Sequence, residues 1–469
     1  MSRYDICYII SNGFAARMIL HTNVIGELKK SGLSKIAVIL PVEENSTFKE
    51  LESRLGISIY CIDKKYSRVL QEYFSLRKYI YEDINSNPAL LSKHLKSKFD
   101  YRGYNPWRKV KPYIYFGLHK VVRKMGFFKG LFRGYEKVLL RDKKLRKLLK
   151  KIDPKVIVST YPVNYLEGAA LQIGNELGIT TVTQLSSWDN ITCKGRFPSI
   201  SDYFISWGKI MSDELKEYYN LSSDRIFETG VPHFDKGKEL VDVSEVKCNI
   251  KELGLNPEKP FIFFGMSSPY FAPREIDIVE RLADQINRNI YGEDMQLVIR
   301  PHPQNVQGEI ADKKWLPRLD SLKGERVSIN YPILEDSTLP WNVNEKDFKQ
   351  LVNLIAGCSV VINTGSTLSI EGLIYDKPVI VSLFDADYIL KVYNSAQRIR
   401  DYFHFKKLID TGAVSAVYHY EDLKNTILEY LDNPELKQEN RANALKLECG
   451  EVDGNSSKRI AEALLKINK

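Results

Sequence analysis

The chain has 469 residues, a formal net charge of +9 at pH 7 and a hydrophobic content of 43%. This length predicts two or three domains, each with enough apolar sequence to bury a core. The composition is typical of a globular protein, and no apolar run approaches the roughly 20 residues of a membrane-spanning helix, so we expect no such helix.

The start of the chain and the cysteines indicate a cellular compartment. The first five residues lead directly into an apolar strand pattern, so the sequence predicts no secretory signal peptide. The cysteines are far apart and include no CxxC pair, which favours buried thiols of a reducing cytosol over disulfides or a metal site. They are Cys7, Cys61, Cys193, Cys248, Cys358 and Cys449. We therefore expect a cytoplasmic protein without a bound metal.

Residues 1–240 show short apolar runs that alternate with amphipathic stretches. This alternation predicts a Rossmann-like domain with a parallel sheet. A tight turn at Gly13 follows the first strand, but no GxGxxG motif is present. The predicted strands are 4–10, 36–40, 57–62, 156–159, 180–184, 203–206 and 226–229.

Residues 66–151 interrupt the alternation as a mostly helical, basic insertion, in which Pro112 and several glycines are expected to break the helices. Residues 92–151 contain 20 Lys and Arg, three acidic and eleven aromatic residues. Basic residues interleaved with aromatic ones suit an anionic membrane surface. The alternatives are a polyanionic partner and a solvated helical hairpin. No nucleic-acid motif accompanies the charge, so we expect no nucleic-acid partner.

Residues 241–469 resume the alternation and predict a second Rossmann-like domain. Within it, residues 359–381 combine two apolar strands with a turn and an amphipathic helix between them, which is a βαβ unit. Ser366 and Thr367 lie in the turn, where hydroxyl and backbone N–H groups at a helix N-terminus bind anions. Glu371 lies one turn into the helix and is placed to accept hydrogen bonds from ribose hydroxyls.

Polar loops follow the predicted strands of both domains at their carboxyl ends, where open α/β sheets bind ligands. We expect the two domains to face a cleft lined by these loops. In the second domain, Ser267, Ser268, Arg300 and His302 are the candidates for binding a diphosphate, and His302 is also a candidate catalytic donor to the leaving phosphate. In the first domain, Asp189 in the sequence SSWDN is the candidate catalytic base for an acceptor hydroxyl.

Each candidate also has a purely structural interpretation. His302, between two prolines, is a typical turn residue, and Asp189 beside Trp188 is a typical cap of the following segment. Gly365 and Ser366 alone are consistent with a turn and a helix cap that bind nothing. The combination of these motifs is more specific than any one of them.

Three motifs resemble those of known enzymes. ETGVPHFD resembles the interdomain signature of two-domain GT-B glycosyltransferases and of UDP-N-acetylglucosamine 2-epimerases. RPHPQ resembles the His-Pro element of bacterial sialyltransferases, Kdo transferases and polyol-phosphate transferases that use CDP-glycerol, and NTGSTLSIEGLIYDKPVI resembles their donor-phosphate segment. The resemblance covers most of the chain outside the insertion.

This resemblance implies a GT-B fold and a nucleotide-sugar glycosyltransferase. His302 with Pro303, and Ser366 with Thr367, would hold the donor nucleotide and its phosphates, and Glu371 would bind the ribose. The donor would carry UDP, CMP or CDP, the acceptor would be a surface glycan or a lipid-linked glycan, and no metal or other cofactor would be required. The protein would bind peripherally to the inner face of the cell membrane through residues 92–151.

Several alternatives remain open from the sequence. A CDP-polyol donor would make the protein a polyol-phosphate transferase, and a free nucleotide sugar would make it an epimerase-like enzyme. SSWDN stands where the epimerases have a His-Glu pair and an Ala-Gly turn, which argues against epimerisation. The acidic motif of sialyltransferases is not found, which argues against a sialic acid donor. A non-enzymatic module that docks on membranes is the last alternative.

Overall fold

The structure is a computed structural model that describes residues 3–44, 46–62, 66–99, 106–306, 314–333 and 344–468. These residues form two compact units. The first unit contains the described residues of 3–233 and 448–468, and the second contains those of 234–333 and 344–447. Each unit is built around one parallel sheet, as the sequence predicts.

The first unit contains a seven-stranded sheet with the order β3-β2-β1-β4-β5-β6-β7. In the parallel register, Ile6 of β1 lies opposite Ile36 of β2 and Val156 of β4. Every residue of β2 is buried, so both faces of the sheet are covered at this strand, which is a continuous apolar run. The strands are β1 Tyr4–Ile9, β2 Ile36–Leu40, β3 Ser58–Cys61, β4 Pro154–Ser159, β5 Thr180–Gln184, β6 Tyr203–Ser206 and β7 Ile226–Glu228.

The described helices in the first 219 residues include α4 to α8 of the basic insertion. The helices are α1 Gly13–Leu20, α2 Val24–Lys30, α3 Ser46–Leu55, α4 Arg68–Tyr81, α5 Pro88–Phe99, α6 Pro106–Lys124, α7 Phe127–Leu139, α8 Lys143–Ile152, α9 Tyr165–Leu177 and α10 Lys209–Tyr219. A short 3-10 turn, Ser223–Arg225, precedes β7.

The insertion differs from its prediction in one respect. Pro112 and Gly117 do not break α6, which runs through both, and the expected breaks at Gly130 and Gly134 are also absent because α7 runs through them. One face of α6 buries Tyr115, His119 and Val122 and packs against α4 and α5. Tertiary packing therefore overrides the local preference of proline and glycine.

The second unit contains a six-stranded sheet with the order β10-β9-β8-β11-β12-β13. All residues of its central strand β8 are buried, and Phe264 of β8 lies opposite Ile299 of β9 and Ile362 of β11. The strands are β8 Phe261–Gly265, β9 Gln296–Arg300, β10 Val327–Ile329, β11 Val360–Asn363, β12 Val379–Ser382 and β13 Ser415–Val417.

The remaining described helices follow residue 231. They are α11 Pro232–Glu239, α12 Val243–Glu252, α13 Glu275–Asn287, α14 Pro303–Val306, α15 Trp315–Ser321, α16 Glu345–Gly357, α17 Leu368–Ile374, α18 Phe403–Asp410, α19 Tyr420–Asp432, α20 Gln438–Cys449 and α21 Ser456–Ile467, with a 3-10 turn at Ala396–Asp401. No helix within the described ranges is long and apolar enough to cross a membrane.

The end of the chain lies in a different unit from the one that the sequence suggests. The predicted division at residues 240 and 241 assigned the whole of 241–469 to the second domain. The structure divides the chain at His233 and places residues 448–468 in the first unit. The reason is packing: α21 buries Ile460 and Leu464 and lies against α2 of the first unit.

Candidate functional site

The second unit has its candidate site at the carboxyl edge of its sheet. In the order β10-β9-β8-β11, the chain leaves β8 in one direction to β9 and later returns to the other side as β11. Such a switch point leaves a crevice at the carboxyl ends of the two central strands. The loops that follow β8, β9 and β11 begin at Met266, Pro301 and Thr364. They carry most of the predicted site residues.

A chain of hydrogen bonds ties these three loops together. The backbone N–H of His302 donates to the side-chain oxygen of Asn305, and the Asn305 amide donates to the backbone oxygen of Ser267 at 3.1 Å. The Ser267 hydroxyl then donates to the backbone oxygen of Thr364 at 2.5 Å. Asn305 is fully buried. Sequence reasoning missed Asn305, although it lies three residues after the histidine of the RPHPQ motif.

Ser267 and Ser268 are buried and shape the loop after β8. The backbone N–H of Ser267 donates to the carboxyl group of Glu275 at 2.7 Å, and the Ser268 hydroxyl accepts from the backbone N–H of Tyr270. Glu275 begins α13 and is almost completely buried. Burial raises the pKa of Glu275 to about 8, so this carboxyl group is largely protonated at neutral pH. Sequence reasoning missed Glu275.

The loop after β11 is organised by Asn363. Its buried side-chain oxygen accepts from the backbone N–H of Ser366 at 3.0 Å and from the Ser369 hydroxyl at 3.0 Å. Gly365 has a φ of +63°, and a Cβ there would lie 2.4 Å from Ile399. The turn therefore requires glycine. Ser366 and Thr367 remain half-buried, and α17 follows them with only seven residues.

His302 is neutral at physiological pH. Burial lowers its pKa to about 4, and the neighbouring Arg300 guanidinium adds to the effect. The ring nitrogen Nδ1 accepts a hydrogen bond from the backbone N–H of Gln304 at 3.0 Å. Since Nδ1 accepts, the proton of the neutral ring is on Nε2, which makes Nε2–H the donor of this side chain.

Arg300 has a different partner from the phosphate predicted for it. Its guanidinium donates to Asp347 at 2.6 Å and to the side-chain oxygen of Asn330. Arg300 and Asp347 are both buried, so this ion pair fixes the end of β9. The geometry thus gives Arg300 a positioning role, in which it holds the strand that leads to His302.

Glu371 lies in the first turn of α17 and is partly buried. Burial raises the pKa of the Tyr375 phenol, and the nearby negative charge of Glu371 raises it further. Glu371 is therefore on the helix predicted for it, beside the turn that contains Ser366.

Asp189 lies in the first unit, in the loop after β5. One carboxylate oxygen accepts from the Ser187 hydroxyl at 2.8 Å, and the other forms an ion pair with Lys194 at 2.7 Å. The charge of Asp189 raises the pKa of Lys194 above its usual range. The carboxylate is thus held in a defined orientation at the carboxyl edge of the first sheet.

A second buried glutamate lies at the switch point of the first unit and was missed from the sequence. Glu167, in the first turn of α9, accepts from the backbone N–H of Ser11 at 3.1 Å and of Thr160 at 2.6 Å. The Ser159 hydroxyl also donates to it, at 2.8 Å. Burial raises the pKa of Glu167, and these hydrogen-bond donors partly oppose that rise because they stabilise the charged carboxylate. Glu167 therefore joins the ends of β1 and β4, as Glu275 joins loops of the second unit.

No group of three or more His, Cys, Asp or Glu side chains is arranged to hold a metal ion in the parts of the chain that the structure describes. In each unit, the candidate residues at the carboxyl edge of the sheet offer hydrogen-bond donors and carboxyl groups. Such a set suits the recognition of an anion and the movement of a proton.

No protein-family model matches the chain, and no curated protein matches its sequence. Solved structures match its fold. The UDP-GlcNAc 2-epimerase of Neisseria meningitidis bound to UDP-GlcNAc is 14% identical with a TM-score of 0.54, over 98% of this chain and 100% of that chain. The UDP-GlcNAc 2-epimerase of Methanocaldococcus jannaschii is 12% identical with a TM-score of 0.53, over 98% and 99%. A glycosyltransferase from Rickettsia africae ESF-5 is 13% identical with a TM-score of 0.51, over 99% and 100%. These likenesses show the fold alone, and they confirm the predicted α/β fold of the GT-B type with two Rossmann-like units.

Proposed function

We propose that the protein is a glycosyltransferase that moves a sugar from a nucleotide-activated donor to a surface-glycan or lipid-linked acceptor. The observation that carries the proposal is the hydrogen-bonded chain from His302 through Asn305 and Ser267 to Thr364. It holds the three loops together at the edge where Rossmann-like sheets bind nucleotides. The fold supports the proposal, because structures with this fold include a glycosyltransferase and an enzyme bound to UDP-GlcNAc.

The second unit would bind the donor. In this proposal the Nε2–H of His302 donates to the diphosphate, together with the hydroxyl and backbone donors of Ser366 and Thr367. Ser267 and Ser268 shape the adjacent loop, and Glu371 accepts from the ribose hydroxyls. Neutral and backbone donors would then take up the charge of the departing phosphate, so we propose that no metal is required.

The first unit would supply the base. Asp189 takes the proton of the acceptor hydroxyl as its oxygen forms a bond to the anomeric carbon, and the bond from that carbon to the donor phosphate breaks. The nucleotide leaves with its phosphate charge on the donors of the second unit. Ser187 and Lys194 support this role by fixing the orientation of the Asp189 carboxylate.

Nucleotide release from a panel of UDP-, CMP-, CDP- and GDP-activated sugars tests the proposal. We expect one nucleotide class to be released when acceptor-rich membrane extract is present, and release to persist in EDTA. Absence of release from every donor, with a competent acceptor extract, would contradict a transferase.

An epimerase-like reaction is the second candidate, because several structures with this fold are UDP-GlcNAc 2-epimerases. It predicts turnover of a free nucleotide sugar without any acceptor, so the acceptor-free arm of the same panel distinguishes it. Transfer from a CDP-polyol would instead release CMP and leave a polyol phosphate on the acceptor. A non-enzymatic docking module predicts no turnover in any arm.

We place the protein at the cytoplasmic face of a membrane with anionic lipids. The support for this location is the positive charge of residues 92–151, which include 20 basic and three acidic residues. A lipid-linked acceptor would be reached at such a surface.

A further inference from the structure

Helix α7 has an unusual distribution of buried and exposed residues. Its only fully buried side chain is Glu136, whereas four large apolar side chains are 46–63% exposed. These are Phe127, Leu131, Tyr135 and Val138. Their spacings of four, four and three residues place them on one face of the helix. The apolar face of α7 therefore points away from the core of its own unit, the reverse of a helix that packs on a core.

Helix α6 extends this surface. The helix buries Tyr115, His119 and Val122 against α4 and α5, and Val110, Ile114 and Val121 lie exposed on the outer side. Of the nineteen large apolar side chains that are exposed in the described part of the chain, ten lie between Trp107 and Val138. Concentration of this kind marks an interaction surface rather than the scattered apolar residues of an ordinary surface.

The charge of the same two helices identifies the partner. Residues 106–139 contain nine Lys and Arg and a single acid, Glu136. Arg77 of α4 neutralises that acid through an ion pair at 2.6 Å. Lys124 lies three residues after Val121, so helical periodicity places its ammonium group beside the exposed stripe of Val110, Ile114 and Val121. An apolar stripe with adjacent ammonium groups fits the interface of a bilayer that contains anionic lipids.

We propose that the outer faces of α6 and α7 bind an anionic phospholipid bilayer, with the exposed side chains of α7 inserted at the level of the acyl chains. The proposal deepens the membrane location given under Proposed function and does not depend on the transfer reaction. The inserted residues are Phe127, Leu131, Tyr135 and Val138, and Trp107 lies at the level of the head groups.

The other helices of the insertion connect α7 to the loop that contains Asp189. Arg77, which pairs with Glu136 of α7, also donates to the backbone oxygen of Arg196. Asn87 and Lys93 of the insertion donate to the backbone oxygens of Thr192 and Cys193, both at 2.8 Å. The insertion thus supports residues 189–196 of the acceptor unit. Docking would hold this loop at a fixed distance from the bilayer that carries a lipid-linked acceptor.

Sedimentation with vesicles, without any donor or acceptor, tests the proposal independently of the enzyme reaction. The probes are vesicles of phosphatidylcholine alone and of phosphatidylcholine with 30% phosphatidylglycerol. The variant is the double substitution Phe127→Ser and Leu131→Ser. The matched control is Val392→Ser, because Val392 is 73% exposed in the second unit. Thermal unfolding of each variant shows whether it is folded.

We expect binding to the anionic vesicles that weakens in high salt, since screening reduces the attraction to head groups. The double variant should bind about ten-fold or more weakly because it loses two inserted apolar side chains, and the control should bind like the original protein. Brominated lipids should quench Trp107, and Trp107→Phe should remove that quenching.

Three results would overturn the proposal. The first is equal binding of the folded double variant and the original protein, and the second is equal binding to neutral and anionic vesicles. The third is a dimer in solution that dissociates in the double variant without any vesicle binding by the original protein, which would assign this surface to a second copy of the chain.

Discussion

At the scale of single residues, the environment of each side chain decides its chemistry. The sequence places Arg300 and His302 two residues apart and suggests that both side chains bind a diphosphate. The structure pairs Arg300 with Asp347 and holds His302, which is partly buried, in its neutral form. A neutral histidine contributes a directed hydrogen bond through Nε2 rather than a charge.

We expect His302→Ala to weaken binding of the matching nucleotide diphosphate by about ten-fold or more, the value of one hydrogen bond to a charged group. His302→Gln keeps an N–H donor and should lose less. Because the pKa of His302 is lowered to about 4, its contribution should be constant from pH 6 to 8. Calorimetric titration of both variants at pH 6 and 8 measures this. Tighter binding at pH 6 that disappears in His302→Ala would contradict a neutral donor.

Glu275 should make stability depend on pH. Its folded pKa is raised from 4.5 to about 8, so its contribution is fully present below pH 4.5 and is lost as pH rises through 8. We expect the free energy of unfolding of the original protein to fall from pH 5 to 8 relative to that of Glu275→Gln. Urea unfolding at several pH values measures the difference. Glu462→Gln is the control, because Glu462 is exposed on the outer side of α21. Parallel pH curves for Glu275→Gln and the original protein would refute the protonated carboxyl group.

At the scale of elements, the loop between β11 and α17 depends on one glycine. Gly365→Ala should destabilise the protein by about 2–4 kcal/mol, because a Cβ at a φ of +63° is strained and would also meet Ile399 at 2.4 Å. Gly254→Ala is the matched control, with a φ of +76° and no atom within 4 Å of the added Cβ. It should cost about 1 kcal/mol. Equal losses in chemical unfolding would show that the Ile399 contact is unimportant.

The insertion is held by a buried ion pair between two of its helices. Glu136→Ala leaves the Arg77 guanidinium buried without its carboxylate, and we expect a loss of about 3–5 kcal/mol. Asp213→Ala removes exposed ion pairs with Lys209 and Lys216 and should change the stability much less than Glu136→Ala. Thermal unfolding compares the two. A small loss in Glu136→Ala would mean that α7 is not anchored through Arg77.

Regular elements were predictable where the sequence pattern is strong. The continuous apolar runs of β2 and β8 identify central parallel strands without ambiguity. Strand β13, with only three residues, and the continuation of α6 through Pro112 were not predictable, because pairing with β12 and packing on α4 decide them. Local sequence cannot report such long-range contacts.

At the scale of the whole molecule, the same limit applies to the site. The sequence motifs correctly place His302, Ser366 and Asp189 after strands, at the carboxyl edges of the two sheets. The loops are organised by Asn305 and Asn363. No sequence motif identifies the roles of these asparagines, because their hydrogen bonds form only when β8, β9 and β11 become neighbours. The position of residues 448–468 in the first unit is likewise a consequence of packing.

In the transfer reaction that we propose, the second unit binds an activated sugar and Asp189 of the first unit activates the acceptor. The most direct measurement is the incorporation of labelled sugar from the donor into the lipid-extractable or polymeric glycan fraction. We predict incorporation by the original protein, a drop of at least about a hundred-fold in Asp189→Asn, and weaker donor binding with reduced incorporation in His302→Ala. Full incorporation by folded Asp189→Asn would contradict the role of Asp189 as the base. Label that stays in the free nucleotide sugar would contradict a transfer reaction.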